Sequence, residues 1–188
     1  MNKLLALVTV LIVVTASAST RAENFSVGAG PTGSIYVVDA APELQPGIGG
    51  HVFFDYRWSP QISTQFTFMV TTQNGQGISN GVDDFLFFGL PSVDIKYYVL
   101  SSESHWDPYI MGGVGFYMLS KASKSGNAPA AGFGADAGLG LDYYFTEKWS
   151  VGANAQFRSI GLITSTTGNN NGTAIFPFTM NGYAAIHF

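Results

Sequence analysis

The sequence predicts an all-β chain, an eight-stranded antiparallel up-and-down transmembrane β-barrel. Three observations predict it. Segments of about ten residues alternate apolar and polar side chains, the period-two signature of a strand with two unlike faces. Of the 188 residues, 46% are hydrophobic and only 11% charged, yet no run beyond residue 22 is long and apolar. A spanning helix needs about 20 such residues. Short turns alternate with longer polar connections, the asymmetry of membrane barrels.

Residues 107–158 carry the pattern most fully. In the sixth predicted strand the odd positions are Phe133, Ala135, Ala137, Leu139, Leu141, Tyr143 and Phe145; the even ones are Gly134, Asp136, Gly138, Gly140, Asp142 and Tyr144. In the seventh, Trp149, Val151, Ala153, Ala155 and Phe157 alternate with Ser150, Gly152, Asn154, Gln156 and Arg158. A soluble sandwich also alternates. Its polar face would be rich in Lys and Glu, whereas this one is Gly, Tyr, Asn and Asp, which suits a crowded lumen.

The N-terminus departs from the pattern. Lys3 precedes the apolar core of residues 4–14, and Ala16, Ser17 and Ala18 form a small-residue site. This predicts a secretory signal peptide over residues 1–22, cleaved after Ala18 or after Ala22. The barrel domain is then 23–188. Cysteine is absent, which excludes disulfides and a lipoprotein anchor. A net charge of −4 without a basic stripe excludes a nucleic-acid role.

The remaining strands follow in order. The first covers 24–31, with Phe25, Val27 and Ala29 outward, and continues or bends at Gly30, Pro31 and Gly33. The second, 47–58, turns Val52, Phe54, Tyr56 and Trp58 out and His51, Phe53, Asp55 and Arg57 in. The third, 62–71, turns Ile62, Thr64, Phe66, Phe68 and Val70 out and Ser63, Gln65, Thr67 and Met69 in. The fourth, 84–99, is expected to turn Phe85, Phe87, Val93, Ile95, Tyr97 and Val99 out and Ser92, Asp94, Lys96 and Tyr98 in. Pro91 lacks the N–H a closed ladder needs and marks a bulge there. The fifth, 109–119, exposes Ile110, Val114, Phe116 and Met118. The eighth, 175–188, exposes Phe176, Phe178, Met180, Ala184, Ile186 and Phe188 and turns Thr179, Asn181, Tyr183 and His187 in. Residues 73–81, 121–131 and 164–172 read as loops, with Asn169, Asn170 and Asn171 at a flexible tip. Trp58, Trp106 and Trp149 lie beside short turns, as do Tyr56, Tyr97, Tyr143 and Phe145. Tyr56, Trp58, Tyr97, Tyr143 and Trp149 are the expected periplasmic aromatic girdle.

The run Asp107-Pro108-Tyr109 with Gly112, Gly113, Val114 and Gly115, then residues 138–143 (GLGLDY), then Trp149-Ser150-Val151-Gly152, resembles the small outer-membrane barrels of the OmpX, OmpA N-terminal-domain and OmpW types. Phe188, ending an alternating strand, is similar to that family's assembly signal. The resemblance implies the outer membrane of a Gram-negative bacterium, contact with lipid and lipopolysaccharide, insertion by the barrel-assembly machinery, and a monomer. It implies barrel building and no particular activity.

The interior of an eight-stranded barrel is just wide enough for side chains to fill. Asp55, Asp94, Asp136 and Asp142 face Arg57, Lys96 and Arg158, with His51 and His187 also inward. Buried charges must be paired, so an ion-pair network plugging the lumen is expected. If the hairpin turns around Glu147, Asp136 and Arg158 are cross-strand neighbours. The chain also resembles PagL-type lipid A deacylases in strands five to seven. Those enzymes need His-x-Ser, where this chain has Phe157 two before Ser159. A serine without a base is a poor nucleophile, so no catalytic residue is expected, with a His51–Ser arrangement across strands left open. No His/Asp/Glu cluster has metal-ligand spacing, Asp83-Asp84 reading as a solvated strand start, and no cofactor is expected. The expected role is structural or surface-interactive, with a narrow channel for small or apolar solutes as the alternative and lipid A modification as a distant third.

Overall fold

The computed structural model describes residues 24–37, 44–76, 82–100, 105–121, 129–166 and 169–188. The expected leader lies outside the described residues, as do residues 77–81, 122–128 and 167–168 of the predicted loops. The strands are β1 (Phe25–Tyr36), β2 (Gly47–Arg57), β3 (Ile62–Gln76), β4 (Val82–Tyr98), β5 (Trp106–Lys121), β6 (Ala130–Tyr144), β7 (Trp149–Thr166), β8 (Asn169–Ile175) and β9 (Pro177–His187). From β1 to β7 each pairs antiparallel with the next, β7 pairs with both β8 and β9, and β1 closes the ring against β9. The pairs Ile160↔Ile175 and Phe157↔Phe178 share one register. β8 and β9 are therefore a single stave broken only at Phe176, ahead of Pro177, and the wall has eight staves. Phe188 N–H donates to Phe25 O at 2.8 Å, so the start of β1 and the end of β9 seal the seam.

Closure removes every free strand edge, which is what a sheet in hydrocarbon requires. The outer face is correspondingly apolar: Phe54, Phe66, Ile95, Val114, Leu139 and Met180 are all exposed. Among the described residues no helix is long and apolar enough to cross a membrane.

Two expectations change. β7 is 18 residues long and β4 is 17, well beyond the roughly 9–11 that a tilted strand needs to cross. Residues 73–76 of the first of these predicted loops, and 164–166 and 169–172 of the last, are therefore strand, with pairing up to Gln76↔Val82 and Thr166↔Asn169. Asn169, Asn170 and Asn171 are ladder residues and not a loop tip, because backbone pairing continues where the side-chain alternation fades. The second change is in β4. Its pairing with both neighbours slips between Gly89 and Ser92, and Leu90 and Pro91 are both exposed. One extra residue sits in the bulge, so everything beyond it changes face. Phe87, expected outward, is 0% exposed inside the lumen. Phe85, register partner of buried Gln73, turns inward with it. The residues after the bulge, from Ser92 to Tyr98, keep the expected parity.

Inside, the wall is fitted by pairing large residues with glycines. A Cβ on Gly152 would lie 2.5 Å from Tyr183, and Cβ atoms on Gly28 and Gly140 would collide with Phe53 and Tyr109. Each missing side chain is the space into which the neighbouring ring lies.

Candidate functional site: a layered lumen

The lumen is layered from the turn end, where the short connections, Phe25 and Phe188 lie, to the loop end. At the turn end the Arg57 guanidinium lies 3.9 Å from the Tyr98 ring centre and pairs with Asp107 at 2.8 Å. It also donates to Tyr144 Oη at 3.2 Å and to the Pro60 carbonyl at 2.5 Å. Ser150 Oγ and His187 Nε2 are 2.8 Å apart beside them. Ser150 is 1% exposed, so this contact ties β7 to β9 and offers no approach to a substrate.

One layer up, Lys96 Nζ meets Asp55 Oδ2 at 3.2 Å, and Ser63 Oγ donates to the same oxygen at 3.0 Å. Lys96 is 2% exposed and lies 4.6 Å from the Tyr109 ring centre. Tyr109 and Tyr183 hydroxyls meet at 2.8 Å; Tyr183 donates to Asp142 Oδ1, and Tyr98 donates to Asp142 Oδ2 at 3.2 Å. These tyrosines satisfy a carboxylate that forms no ion pair among the described residues.

The middle layer is held by amides and hydroxyls. Thr32 donates to Asn181 Oδ1 at 2.8 Å. Its one hydrogen being committed there, it accepts from His51 Nδ1 at 2.9 Å, which leaves His51 Nε2 as a bare acceptor without a partner. Asn181 donates to Asn154 Oδ1 at 2.6 Å. Arg158, 1% exposed, donates to Thr179 and, at 2.5 Å, to Gln156 Oε1. Asp136 is the register partner of Arg158, but the two do not form an ion pair; Asp136 accepts instead from Tyr117 Oη at 3.3 Å. The expected network residues Asp55, Arg57, Asp94, Lys96, Asp136, Asp142 and Arg158 therefore all face inward. The two described ion pairs among inward residues are Lys96–Asp55 and Arg57–Asp107.

The loop end is apolar. Met69, Phe87, Tyr117, Ile160, Leu162 and Ile175 form one buried cluster, with Phe87 and Tyr117 stacked at 5.7 Å. Sequence reasoning missed this layer, since Phe87 was placed outside and Ile160 and Leu162 were given no role. Continuing the β7 parity past Arg158 would have found both. It also missed Asp107, which shares the inward parity of Tyr109 and Tyr117.

On the outer face at the turn end, Tyr56, Trp58, Tyr97 and Trp149 are exposed and Tyr143 is half-buried. Tyr56 packs on Trp58 at 4.7 Å and Tyr143 on Trp106 at 4.6 Å. Phe188 is exposed beside Phe25. Ser159 is exposed on the outside of the wall while His51 is buried within it, so the two stand on opposite faces. Among the described residues no group of His, Asp or Glu is arranged to hold a metal ion.

No curated protein sequence matches the chain. Solved structures match over most of its length. The Neisserial surface protein A matches with TM-score 0.67 and 14% identity, over 88% of this chain and 97% of that one. Outer membrane protein W of E. coli gives TM-score 0.57 at 15% identity, over 90% and 100%. The attachment invasion locus protein Ail of Yersinia pestis gives 0.56 at 14%, over 88% and 99%. At these identities the likeness is one of fold. The family described as outer membrane protein beta-barrel domain matches residues 4–176. That match takes in nearly the whole closed wall, and the chain accordingly belongs to this family of bacterial outer-membrane β-barrels.

Proposed function

We propose that the protein is a filled outer-membrane barrel whose work is done by its wall and its loop-end surface: a structural or surface-interaction protein and not an open pore. The observation that supports this is the burial of large inward side chains at every level. Lys96 is 2% exposed, Arg158 1% and Phe87 0%. Two structural neighbours carry names of surface function, the Neisserial surface protein and the attachment invasion locus protein. A rigid wall with strands projecting past the membrane suits presentation of loops, where binding usually lies. In this reading residues 1–22 are a cleaved leader, and Phe188 is read by the assembly machinery. The turn-end aromatics sit at the lipid headgroups, the outer leaflet is lipopolysaccharide, and the barrel is monomeric.

Single-channel recording of the refolded protein in planar bilayers tests the reading. Silence is expected; discrete steps from the wild type would overturn it. The second reading, a narrow path for small or apolar solutes, is favoured by the apolar cluster at the loop end. Steady uptake of an apolar solute into proteoliposomes, absent from empty vesicles, would support that path.

A further inference from the structure

Arg158 on β7 is 1% exposed, and the groups it bonds are neutral: Thr179 on β9 and, at 2.5 Å, Gln156 Oε1 on its own strand. Its Nε donor has no acceptor among the described residues. A cation taken out of water is stable only with a counter-charge and with its remaining hydrogens bonded. Lys96, the cation of the layer below, is already paired with Asp55. Arg158 reaches a first carboxylate through an amide. Gln156 accepts from Arg158 at Oε1 and donates from Nε2 to Asp94 Oδ1 at 3.5 Å. The amide thus turns its negative end to the cation and its positive end to the anion.

A second carboxylate stands across the ladder. Asp136 on β6 is the register partner of Arg158, and side chains paired in this way start from Cβ atoms about 4.5–5.5 Å apart. Asp136 is 8% exposed. Its Oδ2 accepts from Tyr117 Oη at 3.3 Å, and its Oδ1 has no donor among the described residues. Neighbouring strands therefore carry a buried donor and a buried acceptor, each without a partner. Leaving either one bare costs its full desolvation. Closing them directly on each other is opposed by the amide link. Turning the guanidinium onto Asp136 would take it from Thr179 and Gln156 and leave Asp94 without its cation. A small molecule that accepts from Nε and donates to Oδ1 satisfies both atoms and leaves the amide link in place.

We propose that one water molecule is bound between Arg158 Nε and Asp136 Oδ1, accepting from the first and donating to the second. Tyr117 Oη, whose own hydrogen goes to Asp136 Oδ2, takes the water's other hydrogen. About three such bonds are usual for a buried water. Arg158 then serves both carboxylates through neutral bridges, Asp94 through the Gln156 amide and Asp136 through the water. The bridges tie β7 to β4 and to β6 in the middle of the wall. The water is fixed by its partners, so it is part of the filling and opens no path along the axis.

Proton-detected solid-state NMR of the labelled, refolded protein in lipid bilayers tests the site. Magnetisation transfer from water to the Arg158 Nε–H, assigned through its own side-chain carbons, is expected in the wild type. Transfer to the amides of Gln61 and Glu147, in exposed turns, is the control that water is detected. The transfer to Arg158 should be lost in Asp136→Leu, which keeps the shape of the side chain without its acceptors. It should be kept in Asp142→Asn, which changes an inward carboxylate of another layer. If Asp136→Leu does not fold, Asp136→Glu gives the same reading, because one further methylene carries the carboxylate to Nε and displaces the water. No transfer to Arg158 in the wild type, with Gln61 and Glu147 showing it, would overturn the proposal. So would transfer that survives in the Asp136 variants, the sign of a lumen wet throughout, or transfer lost in Asp142→Asn as well. The test is separate from conductance: a conducting barrel whose Arg158 contact still depends on Asp136 would remove the filled lumen and leave the water site.

Discussion

Lys96 shows how a single residue is held in this lumen. Its ammonium is out of water, with one carboxylate at 3.2 Å and the faces of Tyr109 and Phe53 around it. Removing Asp55 leaves that charge without a counter-ion. Asp55→Ala should destabilise the barrel by about 3–5 kcal/mol, the range for breaking a buried pair from one side. Replacing both partners with apolar residues of similar size, Lys96→Met with Asp55→Leu, should recover most of the loss. Equilibrium urea unfolding in vesicles measures both; a single variant within error of wild type would mean that water reaches Lys96. The Arg57–Asp107 pair is a useful contrast. Arg57 is 15% exposed at the mouth and keeps Pro60 O and Tyr144 Oη when Asp107 goes. Asp107→Ala should therefore cost less, about 1–3 kcal/mol for the lost charge-assisted bond.

At the level of strands, alternation decides most of the structure, and its failures have a physical cause. Period two assigns the side chains of β2, of residues 62–74 in β3, of β6 and of residues 149–163 in β7 to the faces they occupy, because one residue per face is all that a regular ladder allows. It also makes Asp136 and Arg158 register partners. It cannot tell that their heads turn apart, since a lumen lets a side chain choose partners two staves away, as Lys96 does with Asp55. In β4 a single extra residue at Leu90–Pro91 inverts the half-strand beyond it, and no periodicity shows where an inversion begins. Proline was the available signal, and it marked the place without giving the number of residues inserted. Deleting Leu90 should return Phe87 to the lipid side and open the apolar layer. The heat-modifiable folded band on gels should be lost, whereas Pro91→Ala, which keeps the residue count, should fold. Glycine positions carry a second strand-level prediction. Gly152→Val puts a side chain where the Tyr183 ring lies and should cost about 1–3 kcal/mol by overpacking. Gly33→Ala meets nothing within 4 Å and should be neutral. Equal effects at the two sites would refute the large-against-glycine account of the lumen.

For the molecule as a whole, the question is what keeps water and ions out. On the proposed filled-lumen reading, two seals stand in series along the axis. The turn-end and middle layers are a hydrogen-bonded network in which charged and amide groups occupy the space that water would need. The loop-end layer is an apolar cluster, and an ion entering it would have to shed its hydration with nothing to replace it. A constriction of this kind blocks conduction by dewetting, even where it is wide enough for a bare ion. The polar network is the expected plug; on this reading the apolar layer adds a second. Opening the network alone, by Asp55→Ala with Lys96→Ala, should therefore leave the barrel silent in a planar bilayer. Opening the apolar layer alone, by Phe87→Ala with Ile160→Ala, should leave it silent as well, because Arg158 and Gln156 still fill the level below. Only the two pairs combined with Arg158→Ala and Gln156→Ala should conduct. Discrete steps from the Phe87/Ile160 pair alone would show that the polar network passes ions and that the apolar layer is the sole barrier. Steps from the Asp55/Lys96 pair alone would show that the apolar layer leaks, and the network would again be the whole of the plug.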